Sequence, residues 1–170
     1  MFLDSVSAPT PIAASAASDA LLCGPTVVRR FTFAVPPTRA AVPEARHNIA
    51  RTLRKWGLLL DGDLQYTLAL IVTELVTNAV RHAGRVTPWI TVTLQAHVDG
   101  LLGVGVADNH PQAPATRDTS GDDLNGRGMS ILQILLSELG GEITIRRWAQ
   151  GGKTIWAHFP LPAELEADAA

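Results

Sequence analysis

The sequence predicts an α/β fold, a two-layer sandwich in which helices cover one face of a mixed, mostly antiparallel sheet. Three observations predict it. The stretch from Leu68 to Ala83 separates apolar from polar residues at a helical period. Short β-rich or alternating runs stand on both sides of this stretch, and Asp99-Gly100 joins two of them as a hairpin turn would. Helices and strands in this order pack as two layers.

Composition limits the classes of protein. The 170 residues are 46% hydrophobic and 18% charged, which fits one globular domain. The net charge of -2, without a basic block, predicts no direct binding to nucleic acid. The single cysteine, Cys23, suits a reducing compartment. No apolar run approaches the ~20 residues of a membrane helix. We therefore expect a cytoplasmic protein without a membrane partner.

The chain divides into three parts. Residues 1–26 are rich in Ala, Ser and Pro and predict a disordered tail. Residues 27–160 form the predicted domain, and residues 161–170 a frayed C-terminal tail. Predicted helices are Thr38 to Trp56, with Thr38 as candidate N-cap, Asp61 to Ala83, and Met129 to Leu139. Predicted strands are Val27 to Val35, Trp89 to His97, Leu101 to Ala107, Glu142 to Arg147, and Thr154 to Phe159.

The central helix carries the first candidate site. Glu74, Asn78 and Arg81 cluster on the side opposite its apolar residues. Glu74 and Asn78 are four residues apart, so their side chains stand one above the other. A carboxylate and an amide placed this way can form a small oxygen-rich site. On periodicity alone, a solvent-exposed polar face is the better explanation of these residues.

Three further motifs follow along the chain. Asp108 is the first charged residue after a strand that is apolar on both faces. The sequence Gly126-Arg127-Gly128 predicts a turn before a helix N-terminus, where exposed N–H groups favour an anion. Gly151-Gly152-Lys153-Thr154 opens the last predicted strand. Each alone has an ordinary explanation, as a turn former, a hinge or a hairpin.

Together, these motifs resemble the GHKL superfamily of ATP-binding domains. The closer resemblance is to the anti-sigma-factor serine/threonine kinases and related actinobacterial ATP-binding regulators. Residues 74–82 resemble the N-box, Asp108 the G1 box, residues 126–129 the G2 box, and residues 152–157 the G3 region. The resemblance extends from Val27 to Pro160 and implies the Bergerat-type ATP-binding fold, with ATP and magnesium as cofactors.

The resemblance also implies roles for single residues. Asn78 would bind a magnesium ion that bridges the ATP phosphates, and Glu74 would be the general base for a serine hydroxyl. Asp108 would accept the adenine amino group. The other residues implied in nucleotide binding are Gly126, Arg127, Gly128, Met129 and Thr154, the first three near the phosphates and Thr154 on the adenine side. The implied partners are a sigma factor and an anti-anti-sigma (STAS-type) protein, with a homodimer as a further expectation.

Alternatives remain open at this stage. The run from Asp108 to Pro114 lacks both glycines of the usual Asp-x-Gly-x-Gly G1 box and carries two prolines. That departure favours a non-catalytic nucleotide-binding module that sequesters a regulatory partner. The catalytic part of a histidine kinase is less favoured, because His47 is the single upstream helix candidate for phosphorylation. A domain without any ligand explains the motifs least well.

Overall fold

The computed structural model describes residues 27–83, 86–110 and 124–162, and within these ranges the chain forms five strands and three helices. The predicted N-terminal tail, residues 1–26, and the predicted C-terminal tail beyond Pro162 lie outside the described residues. In chain order the elements are β1 (Val27–Val35), α1 (Ala41–Lys55), α2 (Gly62–Ala83), β2 (Ile90–His97), β3 (Leu101–Asp108), α3 (Leu124–Glu138), β4 (Glu142–Arg147) and β5 (Lys153–Pro160).

The five strands form one sheet in the order β1-β2-β3-β5-β4. Every pairing between these strands is antiparallel. The predicted α/β sandwich with a mostly antiparallel sheet is therefore confirmed, and the described strands contain no parallel pair. β3 is the middle strand, as its apolar residues on both faces predict, and Val104 pairs with Leu94 on one side and Ala157 on the other.

The hydrophobic core lies between the helices and one face of the sheet. Strand residues alternate between two faces, and β3 contributes Leu102, Val104 and Val106 to this core. α2 contributes Ile71 and Leu75, both of which are fully buried. Burying a side chain of this size stabilises the fold by about 1.5–3 kcal/mol. The buried face of α2 therefore holds this helix firmly against the core.

Local signals fix the ends of the helices. The Oδ1 atom of Asp61 accepts a hydrogen bond of 2.8 Å from the backbone N–H of Leu64, the geometry of an N-cap. Gly57 ends α1 with a φ of 78°. α1 itself begins at Ala41 rather than at Thr38, and no side chain caps it. No helix of the described chain is both long and apolar enough to cross a membrane.

The opposite face of the sheet carries a stacked pair of rings. Trp156 and His158 of β5 stack with centroids 5.4 Å apart and planes 14° from parallel. Both lie over the glycines of β3, since a Cβ on Gly105 would be 2.8 Å from three indole carbons and a Cβ on Gly103 2.8 Å from the His158 ring. The glycines of β3 therefore make room for β5 side chains.

Candidate functional site

One edge of α2 carries polar side chains toward α3 and the end of β3. Glu74, Asn78 and His82 follow each other at intervals of four residues, so they form a column along the helix. Glu74 and Asn78 are partly buried, while His82 is more exposed. The column therefore runs from Glu74, which contacts α3, to His82 in the last turn of α2.

The first group of candidate residues joins α2 to α3. The Oε2 atom of Glu74 occupies the position that a Cβ on Gly128 would take. Gly128 is the fifth residue of α3, one turn after the unpaired N–H groups at the start of the helix, where the helix dipole favours negative charge. The sequence predicted both residues as site residues, and the structure places them in contact.

The Gly126-Arg127-Gly128 segment differs from the sequence prediction. It lies inside α3, which begins at Leu124, instead of forming a turn before a helix at Met129. A glycine inside a helix costs only about 1 kcal/mol. Met129 and Leu132 are both buried in the core, and their burial offsets that cost. The predicted phosphate contact of the Arg127 side chain lies outside what the structure describes.

Met129 also has a different setting from its predicted one. Its side chain is 4% exposed and belongs to the hydrophobic core. Its backbone N–H belongs to the sixth residue of α3, whereas a helix start leaves only its first four N–H groups without a partner in the helix. Helical periodicity identifies buried residues of a helix when the start of that helix is known. α3 begins five residues before Met129, and the sequence did not show this start.

The second group is a buried ion pair at the end of the central strands. The Nζ atom of Lys153 lies 2.9 Å from Oδ1 of Asp108, and each side chain is 1% exposed. The same Oδ1 accepts a 2.8 Å hydrogen bond from the backbone N–H of His110. Nζ also lies 3.4 Å from the carbonyl oxygen of His110. Asp108 is therefore held by two donors on one of its oxygens.

The backbone around this pair is tightly placed. Asp108 and Lys153 are register partners across β3 and β5. Gly152, with a φ of 95°, approaches so closely that a Cβ there would be 2.7 Å from the carbonyl oxygen of Asp108. Beyond β3, the N–H of Asn109 donates to Thr87 Oγ1 at 2.9 Å. These contacts fix the direction in which the chain leaves Asp108.

His82 connects the column on α2 to the ion pair. Burial is the largest cause that lowers its pKa, followed by the charges of Arg81 and Lys153, while Asp108 opposes them. The pKa of His82 therefore responds to the charges of both members of the Asp108–Lys153 pair. Neutral imidazole is therefore the favoured form of His82 near neutral pH.

Sequence reasoning missed Lys153 and favoured Thr154 instead. Successive strand residues point to opposite faces, and Lys153 shares the face of Ile155, Ala157 and Phe159, all of which are buried in the core. Thr154 pairs with Ala107 on the other face, so the structure does not bring it to the Asp108 carboxylate. The alternation of β5 was the signal that could have identified Lys153.

Metal ligands are sparse at this site. No group of three or more His, Cys, Asp or Glu side chains among the described residues could hold a metal ion. The amide oxygen of Asn78 is a hard ligand of the kind that magnesium accepts, and magnesium usually keeps several waters and takes further oxygens from substrate phosphates. The amide of Asn78 is therefore compatible with a magnesium ion that takes its other ligands from water and a polyphosphate.

Comparison with known proteins identifies the family. Residues 63–163 match the family described as "Histidine kinase-, DNA gyrase B-, and HSP90-like ATPase". This match covers more than half of the 170 residues. The chain belongs to this family and has its ATP-binding fold, and the predicted GHKL relationship is confirmed. No curated protein sequence matches the chain.

Solved structures share the fold at low sequence identity. The RsbU and RsbW domains of a Mycobacterium tuberculosis protein align with a TM-score of 0.57 and 21% identity, over 79% of this chain and 34% of that one. Full-length ShkA in complex with AMPPNP aligns with a TM-score of 0.52 and 19% identity, over 71% of this chain and 29% of that one. The SiaB–SiaC complex from Pseudomonas aeruginosa aligns with a TM-score of 0.52 and 15% identity, over 80% of this chain and 91% of the matched chain. The chain spans only about a third of the first two structures.

Proposed function

We propose that this chain is an ATP-binding regulator of the anti-sigma-factor type that phosphorylates a serine of an anti-anti-sigma, STAS-type partner and also binds a sigma factor. The observation that carries the proposal is the contact between Glu74 and Gly128. It brings a carboxylate to within one turn of the start of α3, and the unpaired N–H groups at that start are where the phosphates of a nucleotide would bind. The similarity in fold to RsbW and SiaB structures supports the choice of class.

Each residue then has one task. Asp108 accepts a hydrogen bond from the adenine amino group, and the backbone of Gly126, Arg127 and Gly128 approaches the phosphates. Asn78 anchors a magnesium ion, which when bound neutralises charge on the phosphates. Met129 stays a predicted nucleotide residue, although its side chain packs in the core. Thr154 also stays a predicted nucleotide residue, and its side chain lies on the other face of the sheet.

The transfer step needs little covalent work from the protein. Glu74 takes the proton of the partner's serine hydroxyl while the serine oxygen forms a bond to the γ-phosphorus. The bond from that phosphorus to the β,γ-bridging oxygen breaks, and ADP leaves. Phosphoryl transfer depends chiefly on positioning and on charge stabilisation. A base fixed between two helices meets the first of these requirements.

The direct test is transfer from labelled ATP. The protein is incubated with magnesium, γ-labelled ATP and a STAS-type protein, and a serine-to-alanine variant of that protein serves as control. We expect label on the partner serine alone. For Glu74→Gln we expect the transfer rate to fall by roughly 10²–10⁴-fold with ATP affinity unchanged, which is the usual contribution of a general base. Bound ATP without any transfer would contradict the kinase.

A second function is favoured by the ion pair at Asp108. Oδ1 of Asp108 already accepts two hydrogen bonds within the protein. The carboxylate is therefore held in place for nucleotide binding whether or not the chain transfers phosphate. In this alternative, the chain is a non-catalytic module that sequesters a regulatory partner. Glu74→Gln separates the two functions, since a module without catalysis would regulate its target as before. Asn78→Ala should abolish the magnesium dependence of ATP binding in both.

A further inference from the structure

The buried ammonium of Lys153 is costly for the fold. Transferring a charge from water into a protein interior is unfavourable, and Lys153 is 1% exposed. Its partner Asp108 is equally buried. Replacing a buried ion pair by apolar residues is often neutral or stabilising. A contribution to stability therefore explains the presence of this ion pair poorly. Recognition of a ligand by Asp108 explains it better.

The two oxygens of the Asp108 carboxylate are not equivalent. Oδ1 accepts from the Lys153 ammonium and from the His110 N–H. In the ranges that the structure describes, no hydrogen bond reaches Oδ2. A charged carboxylate accepts hydrogen bonds and donates none. Oδ2 is therefore the oxygen with capacity left to bind a ligand, and that ligand group has to be a donor.

We infer that Lys153 is a specificity-determining positioning residue, which keeps Asp108 a pure acceptor and so selects purines with a 6-amino group over purines with a 6-keto group. The inference rests on the proposed nucleotide site. A cation within about 4–6 Å favours the charged form of a carboxyl group. The 6-amino group of adenine donates to such an oxygen. A 6-keto oxygen brings a second acceptor and leaves both atoms without a hydrogen bond.

The other charged groups around Asp108 do not contact its carboxylate with a cationic side chain in the part of the chain that the structure describes. His82 approaches from the end of α2, but its pKa is lowered by burial and by the charges of Arg81 and Lys153. His110 contributes backbone atoms to the pair. Arg147 is the register partner of Lys153 on β4 and is exposed to solvent. Lys153 is thus the side chain whose cation touches the carboxylate.

The test compares ATP with ITP, its 6-keto analogue, by calorimetric titration of the full chain with magnesium. The ratio of the two dissociation constants cancels the contributions of the phosphates and the metal. We expect the unmodified protein to prefer ATP by roughly 10–100-fold, since a hydrogen bond to a charged group is at stake. Lys153→Met leaves a buried carboxyl without its cation, which favours the neutral form with an O–H donor. The preference should then fall to within about threefold.

Two matched variants separate recognition from structure. Lys153→Arg keeps a cation beside the carboxylate and should retain a preference for ATP. Arg147→Met removes an exposed cation from the neighbouring strand and should leave the ratio unchanged. Where circular dichroism shows that Lys153→Met does not fold, Lys153→Gln replaces it, because the glutamine amide can still donate to Oδ1 without a charge. The same collapse of the ratio is expected.

Several results would overturn the inference. A Lys153→Met or Lys153→Gln protein that keeps the original ratio would show that Asp108 selects the base unaided. Equal losses of ATP and ITP affinity would show a merely structural role. An unmodified protein that binds both nucleotides equally would refute the inference and leave ATP binding intact. An unmodified protein that binds neither would refute the proposed function as well.

Discussion

The carboxylate of Glu74 fills the space that a side chain on Gly128 would need. The two residues belong to different helices, and their contact fixes where the carboxylate of α2 stands relative to the start of α3. A glycine in a helix has an unfavourable propensity. At this position the missing side chain has a clear effect, because it allows Glu74 to reach its place.

Gly128→Ala should therefore separate stability from activity. The atom that the new methyl group meets is the end of a flexible side chain, so the carboxylate can move aside while the helix gains up to about 1 kcal/mol from alanine. We expect an unchanged or slightly higher free energy of unfolding in urea. Phosphoryl transfer should fall by about 10²-fold, as displacements near 1 Å can cause.

The control for this variant is Gly62→Ala. Gly62 is the first residue of α2, its φ is ordinary, and a Cβ there meets nothing within 4 Å. It should change neither stability nor transfer by much. A Gly128→Ala protein with full transfer activity would show that the position of Glu74 does not matter for the reaction.

The start of α2 offers a stability prediction. Asp61→Ala removes the side-chain acceptor of the Leu64 N–H and should lower the free energy of unfolding by about 1 kcal/mol, the usual value of an N-cap. Asp63→Ala removes a carboxylate from the same first turn and should cost less, about 0.3–1 kcal/mol at low salt. The Asp63 effect should vanish in 1 M NaCl, whereas most of the Asp61 effect should remain. Equal salt sensitivity in urea unfolding would argue against the cap.

The fold was predictable because periodicity and turn residues agreed along most of the chain. β1 and β4 have the predicted bounds, and the glycines Gly57, Gly100 and Gly140 take the positive φ angles that ends of helices and hairpins favour. α3 was the exception. Local sequence rules treat Gly126 and Gly128 as breaks, whereas the helix continues through them since burial of Met129 outweighs a local preference.

The site was predictable only in part. Glu74 and Asn78 could be found because a helical period puts them on one face, and Asp108 because it follows a buried strand. The partner of Asp108 depends on the register between β3 and β5, which sequence patterns do not give. A lysine in the core also contradicts ordinary burial preferences. Lys153 was therefore overlooked, although its place in the alternation of β5 was visible.

The pH dependence of stability should depend on His158. Burial is the main cause that lowers its pKa, His97 lowers it further, and Glu142 opposes both. As the pH falls below about 6.5, the unfolded chain takes up a proton that the folded protein accepts less readily. The free energy of unfolding therefore falls with decreasing pH. His158→Gln should make the loss between pH 7.5 and 5.5 shallower in urea unfolding.

A histidine on α1 provides the control for this measurement. His47 is exposed to solvent, and His47→Gln should leave the slope of stability against pH nearly as it is. His82, whose pKa is also lowered, stays in both variants and contributes a slope of the same sign. A His158→Gln protein with an unchanged slope would mean that protonation of this imidazole is equally easy in the folded and unfolded chains.

The packing of Trp156 on β3 gives the last prediction. Gly105→Ala would bring a methyl carbon to 2.8 Å from indole carbons of a side chain that is 4% exposed. Because a stacked ring between two strands has little room to move, we expect a loss of about 1–3 kcal/mol, as for other overpacked sites. In a Trp156→Ala background the same substitution meets no ring, so it should cost much less. A double-mutant cycle by urea unfolding measures this coupling, and strictly additive effects would show that the glycine is not needed for the indole.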